Sequence, residues 1–163
     1  MIMAINGMNH AVMYVRDACR TQSFYSDVLG FTTVIDHPSA DYIFMRAPES
    51  TNHHDIAFFS IGSDKTPSEA GKTTVGMYHI AWQVPTLEDL DAMRSKLMAA
   101  GALVGQSDHG VNKSLYAKDP DGLEFEVMWL VPTEHWGDDA HAAIVRPLDL
   151  VADRKKFELL GYK

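Results

Sequence analysis

Cysteine is nearly absent from this 163-residue chain. Cys19 stands alone, so no intrachain disulfide can form, and a reducing compartment fits. Nothing near Cys19 reads as a base that would make its thiol a nucleophile. Positive charge is scarce too: 14 Lys and Arg stand against 22 Asp and Glu, the formal net charge is −8, and no basic cluster occurs. Nucleic acid and acidic membrane surfaces are therefore not expected partners. No apolar run approaches the ~20 residues of a membrane span. The start, MIMAINGMNH, lacks a basic region followed by an apolar stretch, so no signal peptide is expected and a cytoplasmic location follows.

What the chain does contain is ordinary core material, 46% hydrophobic, laid out as two weak copies of one unit. The first copy opens with a strand, NHAVMYV (residues 9–15). A helix over residues 20–31 follows, where Phe24/Val28 and Tyr25/Leu29 share a face and Gly30 is the stop. Strands are predicted at 32–35, 42–46 and 55–61. The second copy opens with YHIAWQV (78–84). Its helix is capped by Thr86, has Asp89 three residues on, carries Leu87, Leu90, Arg94, Leu97 and Met98, and closes at Gly101. Strands follow near 102–105, 114–118 and 123–130. Each copy therefore reads β-α-β-β-β. His10 aligns with His79, Gly30 with Gly101, and Ile43-Phe44-Met45-Arg46 with Leu115-Tyr116-Ala117-Lys118. Residues 62–76 are polar and contain glycine, and read as a linker. The expected organisation is one α+β domain with modules at 7–62 and 75–130 and a tail at 131–163. The later part of that tail (148–160) is predicted helical and packed on the domain or on a second subunit.

Strand alternation sorts the side chains by face. Ala11, Met13 and Val15 oppose His10, Val12 and Tyr14; Ile80, Trp82 and Val84 oppose His79, Ala81 and Gln83. Phe125, Val127 and Trp129 oppose Glu124, Glu126 and Met128. Three strands thus each keep one apolar face, while the opposite faces carry His10, His79 and Glu126. If the paired modules form a cupped mixed sheet around a common cleft, these three side chains converge inside it. Two imidazoles and a carboxylate suit a divalent transition metal with open positions, as in non-haem Fe(II) oxygenases. A bound cation would also remove the cost of burying Glu126 unpaired.

At these residues, and in FYSDVLGF and DPDGLEFE, the sequence resembles the vicinal oxygen chelate superfamily over roughly residues 7–130. That superfamily includes glyoxalase I, fosfomycin-resistance thiol transferases, bleomycin-binding proteins and type I extradiol dioxygenases. The resemblance implies paired βαβββ modules and a metal-binding cleft held by His10, His79 and Glu126. One stretch resembles the extradiol signature more closely: His109, five residues, Leu115-Tyr116, two residues, Asp119-Pro120-Asp121-Gly122, three residues, Glu126. Ser107 departs from it. His54-Asp55-Ile56-Ala57-Phe58 resembles the segment that carries that branch's active-site histidine. The resemblance implies His54 as the acid–base residue, with His109 and Tyr116 at the substrate oxygens and Tyr116 donating. It also implies Fe(II), with Mn(II), Zn(II), Ni(II) or Co(II) as alternatives, a small aromatic diol and O₂ as substrates, and a homodimer. Glyoxalase I needs a fourth ligand, a Glu, where this chain offers Ala57; neighbouring Asp55 stays open as an alternative ligand. The rival expectations are another metalloenzyme of the superfamily (a glyoxalase-like isomerase or lyase, or a thiol transferase) and a metal-free small-molecule binder. His37, His53, His135 and His141 belong to no constellation, and Met93 and Met98 read as core filler.

Overall fold

The computed structural model of the chain describes residues 4–39 and 41–162 and divides into two compact units, Met1–Pro67 and Ser68–Lys163. The boundary falls within the stretch 62–76 that the sequence marks as a linker.

The first unit runs β1 (Ala11–Val15), α1 (Ala18–Leu29), β2 (Thr32–Asp36), β3 (Tyr42–Arg46) and β4 (Ile56–Ser60). Its four-stranded sheet has the order β1-β4-β3-β2, and β1 pairs parallel with β4 while the other pairings are antiparallel. Helix α1 starts two residues before its predicted position because Asp17 caps it, accepting from the Arg20 N–H at 3.1 Å. It ends at Gly30, whose φ of 78° is a left-handed conformation that a Cβ would strain. Tyr25 packs its ring on Phe58 (centroids 4.8 Å) and Phe31 (5.5 Å), over a core of Ile43, Met45 and Ile56.

The second unit repeats the order with β5 (His79–Val84), α2 (Leu87–Ala99), β6 (Leu103–Asp108), β7 (Asn112–Lys118) and β8 (Glu124–Leu130). Its sheet, β5-β8-β7-β6, is mixed in the same way. Thr86 caps α2 by accepting from the Asp89 N–H at 3.0 Å, as the sequence implies. Leu87, Leu90 and Leu97 bury their shared face, whereas Met98 lies off that face and is exposed rather than filling the core. The turn before β8 explains DPDG. Asp119 Oδ1 accepts from the N–H groups of Asp121 (2.8 Å) and Leu123 (2.9 Å), and Gly122 supplies the positive φ of 79°.

The tail folds onto its own unit through two short 3-10 turns (Thr133–His135 and Gly137–His141) and α3 (Leu150–Leu159). Phe157 meets the Trp129 ring edge-on at 4.9 Å, and full burial of its side chain contributes ~1.5–3 kcal/mol. Lys113 is only 4% exposed; its Nζ lies 2.6 Å from Asp108 and 3.4 Å from Asp153 of α3. No helix among the described residues is long and apolar enough to cross a membrane.

Candidate functional site

Strand register places the site residues within each unit. In the second sheet Ala81 pairs with Glu126, Glu126 with Tyr116 and Tyr116 with Gly105, so Glu126 and Tyr116 share one face. His79, two residues before Ala81, points to that face as well. The apolar face beneath holds Ile80, Leu115, Ala117, Phe125 and Val127, all buried. The first sheet repeats the row: Val12 pairs with Ala57 and Ala57 with Phe44. Val12 follows His10 by two, as Ala81 follows His79, so Ala57 occupies the position of Glu126. The strand register thus supports the alignment of the two copies here, and Ala57 offers no ligand atom.

Glu126 is 6% exposed. Its Oε2 lies 3.1 Å from His79 Nε2, and its Oε1 accepts from Asn112 Nδ2 at 3.3 Å. Two neighbouring ligands of an octahedral ion with bonds of ~2.1 Å stand ~3.0 Å apart, so the His79–Glu126 spacing fits one edge of such a site. His79 Nδ1 is buried without a hydrogen-bond partner.

In the first unit His10 sits one residue ahead of β1 and is exposed. Asn9 donates its amide N–H to Asn52 Oδ1 at 3.3 Å, so Asn9 Oδ1 is the acceptor that faces His10 Nδ1 at 2.8 Å. Nδ1 therefore carries a proton, and in the neutral ring Nε2 is the bare nitrogen, the one suited to a metal. The rings of His10 and His54 lie 4.4 Å apart. Burial holds the His54 pKa below the ordinary imidazole value, the charges of His10 and His53 lower it further, and Asp55 opposes them. His54 Nε2 is buried without a partner, while His53 is exposed.

Asp55, the alternative ligand, is spent on its own loop. It accepts from the Ala47 N–H (2.8 Å), the Ser50 hydroxyl (2.7 Å) and Asn52 Nδ2 (2.8 Å). Burial pushes its pKa up, and these bonds overcome that push and bring it below the usual carboxylate value. Asp55 thus braces the loop that carries His54.

His109 and Tyr116 meet directly, Nε2 to the hydroxyl at 2.7 Å. Burial raises the Tyr116 pKa, and the Glu126 charge raises it further, so the side chain is a neutral phenol at pH 7. Sequence reasoning missed Asn112 and the tail's Ile144, whose carbonyl oxygen lies 2.6 Å from His109 Nδ1, and neither carries a motif signal. Among the described residues no group of three or more His, Cys, Asp or Glu is assembled; the assembled ligand pair is His79–Glu126, and His10 belongs to the other unit.

Two repeated βαβββ units, each with its own mixed four-stranded sheet and a helix, define the class of paired-module α+β folds. A sequence model of the Glyoxalase/Bleomycin resistance protein/Dioxygenase superfamily matches residues 7–127, and the chain belongs to that family. It is 27% identical over 135 residues to a catechol-2,3-dioxygenase of Bacillus subtilis (strain 168), covering 81% of this chain and 44% of that protein. It is 34% identical over 119 residues to biphenyl-2,3-diol 1,2-dioxygenase 3 of Rhodococcus globerulus, covering 72% of this chain and 60% of that one. The chain thus spans about half the length of these curated relatives. Among solved structures, a glyoxylase/bleomycin resistance protein/dioxygenase domain from Frankia sp. EAN1pec matches with a TM-score of 0.64 at 19% identity, covering 81% of this chain and 98% of that one. A fosfomycin resistance protein, FosX, from Listeria monocytogenes in complex with Mn(II) matches at 0.62 and 19%, covering 85% and 100%. At such identities the structural matches show the fold.

Proposed function

We propose that this chain is an extradiol ring-cleaving dioxygenase that opens a catechol-type aromatic and places both atoms of O₂ in the product. The observation that carries the reading is the buried Glu126, paired with His79 at 3.1 Å and sharing its sheet face with a Tyr116 bonded to His109. The dioxygenase relatives support the same reading.

On this reading the two modules and the tail form one catalytic domain, assembled as a homodimer. His10, His79 and Glu126 would hold a divalent ion, Fe(II) by first choice and otherwise Mn(II), Zn(II), Ni(II) or Co(II). Such an ion supplies chelation of both diol oxygens and activation of O₂. His79 and Glu126 contribute one ligand edge, and His10 brings a bare Nε2 whose ring is oriented by Asn9. His54, beside His10, serves as the acid–base group, and Asp55 fixes the loop that holds it. His109 and Tyr116 contact the substrate oxygens. Ala57, at the position equivalent to Glu126, adds no fourth ligand and so leaves coordination room for a diol.

The test is oxygen uptake by the anaerobically Fe(II)-reconstituted full chain against a panel of catechols. The expected result is one O₂ consumed per diol with a coloured ring-fission product. Bound Fe(II) with no uptake for any diol would reject the reading.

A further inference from the structure

Beyond β8 the chain adds nothing to the proposed ligand set, yet its backbone reaches a site histidine. His109 Nδ1 lies 2.6 Å from the carbonyl oxygen of Ile144, and Nε2 lies 2.7 Å from the Tyr116 hydroxyl. A carbonyl oxygen only accepts, so Nδ1 carries the proton. A neutral imidazole has a single N–H, so Nε2 is a bare acceptor and the Tyr116 hydroxyl donates to it.

Ile144 is held where it is. The Asp108 N–H donates to the Arg146 carbonyl (2.9 Å) and the Arg146 N–H donates back to Asp108 (2.8 Å), stitching the tail to the end of β6. The Arg146 guanidinium grips Asp139 through two bonds of 3.2 Å. Asp139 lies against Gly110, where a Cβ would fall 2.5 Å from its carboxylate, and Gly110 also has a positive φ of 78°. Asp108 accepts from the Gly110 N–H (2.7 Å) and pairs with buried Lys113. The residues on either side of His109 are therefore fixed from both the sheet and the tail.

We propose that the tail is a positioning element for His109. The Ile144 carbonyl holds the Nδ1–H tautomer, which turns the Tyr116 proton toward His109 and leaves Tyr116 with only lone pairs to offer a substrate. The pair then favours a diol oxygen that still carries its proton, since that oxygen can donate to Tyr116. This reverses the donor role that the family resemblance implies for Tyr116. The consequence for turnover rests on the dioxygenase reading; the tautomer does not.

The experiment is ¹⁵N NMR of histidine-labelled full chain at about pH 8, above the ordinary imidazole pKa of ~6.5, before metal is added. The expected wild-type spectrum has His109 protonated at Nδ1 and bare at Nε2. Tyr116→Phe should keep Nδ1–H and shift the Nε2 signal toward that of a bare nitrogen without a hydrogen bond. Arg146→Pro removes the N–H that bonds Asp108, and the pair Arg146→Ala with Asp139→Ala removes the ion pair. Both should populate the Nε2–H tautomer, and kcat on the best diol should fall on the order of tenfold or more. Arg146→Lys should recover part of both signals. A wild-type His109 protonated at Nε2, or an Nδ1–H population unchanged in both tail variants, would overturn the proposal. The predicted tautomers with no oxygen uptake in any form would leave the positioning role standing and remove the dioxygenase reading.

Discussion

Replacing Lys113 with Met keeps the aliphatic stem and removes the charge. Lys113 Nζ sits 2.6 Å from Asp108 and 3.4 Å from Asp153, and those two side chains are only 16% and 13% exposed. Lys113→Met therefore leaves two largely buried carboxylates facing each other without the ammonium they share. Breaking a buried pair on one side costs about 3–5 kcal/mol, against about 0–1 kcal/mol for an exposed pair. The 4% exposure of Lys113 puts it with the first group. At a urea dependence of about 2 kcal/mol/M, the loss lowers the unfolding midpoint by about 1.5–2.5 M. Trp129, packed on Phe157 of α3, reports the undocking of the tail by its fluorescence. The deficit also depends on pH. Burial raises the Asp153 pKa, Lys113 pulls it back down, and Asp108 pushes it up. A carboxyl with a folded pKa above its unfolded one binds protons preferentially when folded. Its penalty is therefore full at neutral pH and is relieved as pH falls through the raised value toward ~3.8. Without Lys113 the raise grows, so the gap between variant and wild type narrows as pH falls from 7 toward ~3.8. A loss below about 1 kcal/mol, or a gap that widens in acid, would refute the buried-pair reasoning.

Three further expectations concern the first module and α2. His54→Gln should cut turnover by about 10²–10⁴-fold while bound metal, measured by elemental analysis, is unchanged; metal loss would contradict its acid–base role. Asp55→Ala strips acceptors from Ala47, Ser50 and Asn52 and should cost about 2–4 kcal/mol in chemical denaturation. Because the folded Asp55 pKa is depressed, its stabilisation is present above ~3.8 and lost as pH falls through the lowered value, so wild type should show an acid-side decline that the variant lacks. Thr86→Ala removes the acceptor for the Asp89 N–H and should cost about 1 kcal/mol, with Thr86→Ser restoring it.

Much of this molecule is legible from local pattern. The alternation in β1, β5 and β8 correctly puts Val15, Ile80, Phe125 and Val127 inside, because a half-buried strand must alternate. Gly30 and Thr86 mark helix ends because a left-handed stop and a side-chain cap each have few residues that can supply them. The aligned copies put Ala57 in the slot of Glu126, and the register agrees, with Ala57 opposite Val12 as Glu126 lies opposite Ala81. What the pattern does not carry is contact between distant segments. Strand β6 runs on to Asp108 by pairing with Lys113 of β7, and Arg146 of the tail bridges to that same residue from 38 positions away. Lys113 is buried because two acids, five residues before it and forty after it in sequence, close on it. The Ile144 carbonyl has no side-chain signature, so its hold on His109 is invisible without coordinates. Alignment leaves Asp55 open as an alternative ligand beside Ala57, yet its loop uses both of its oxygens.

The decisive measurement is metal content and ligation in full-length protein purified without added metal, repeated after replacing His10, His79 and Glu126 singly by Ala. One divalent ion per chain is expected, iron first, with two imidazoles and one carboxylate in its X-ray absorption spectrum and metal lost in each variant. Unchanged metal in any one of the three variants, or an ion enclosed by protein ligands on every side, would contradict the ring-cleavage assignment.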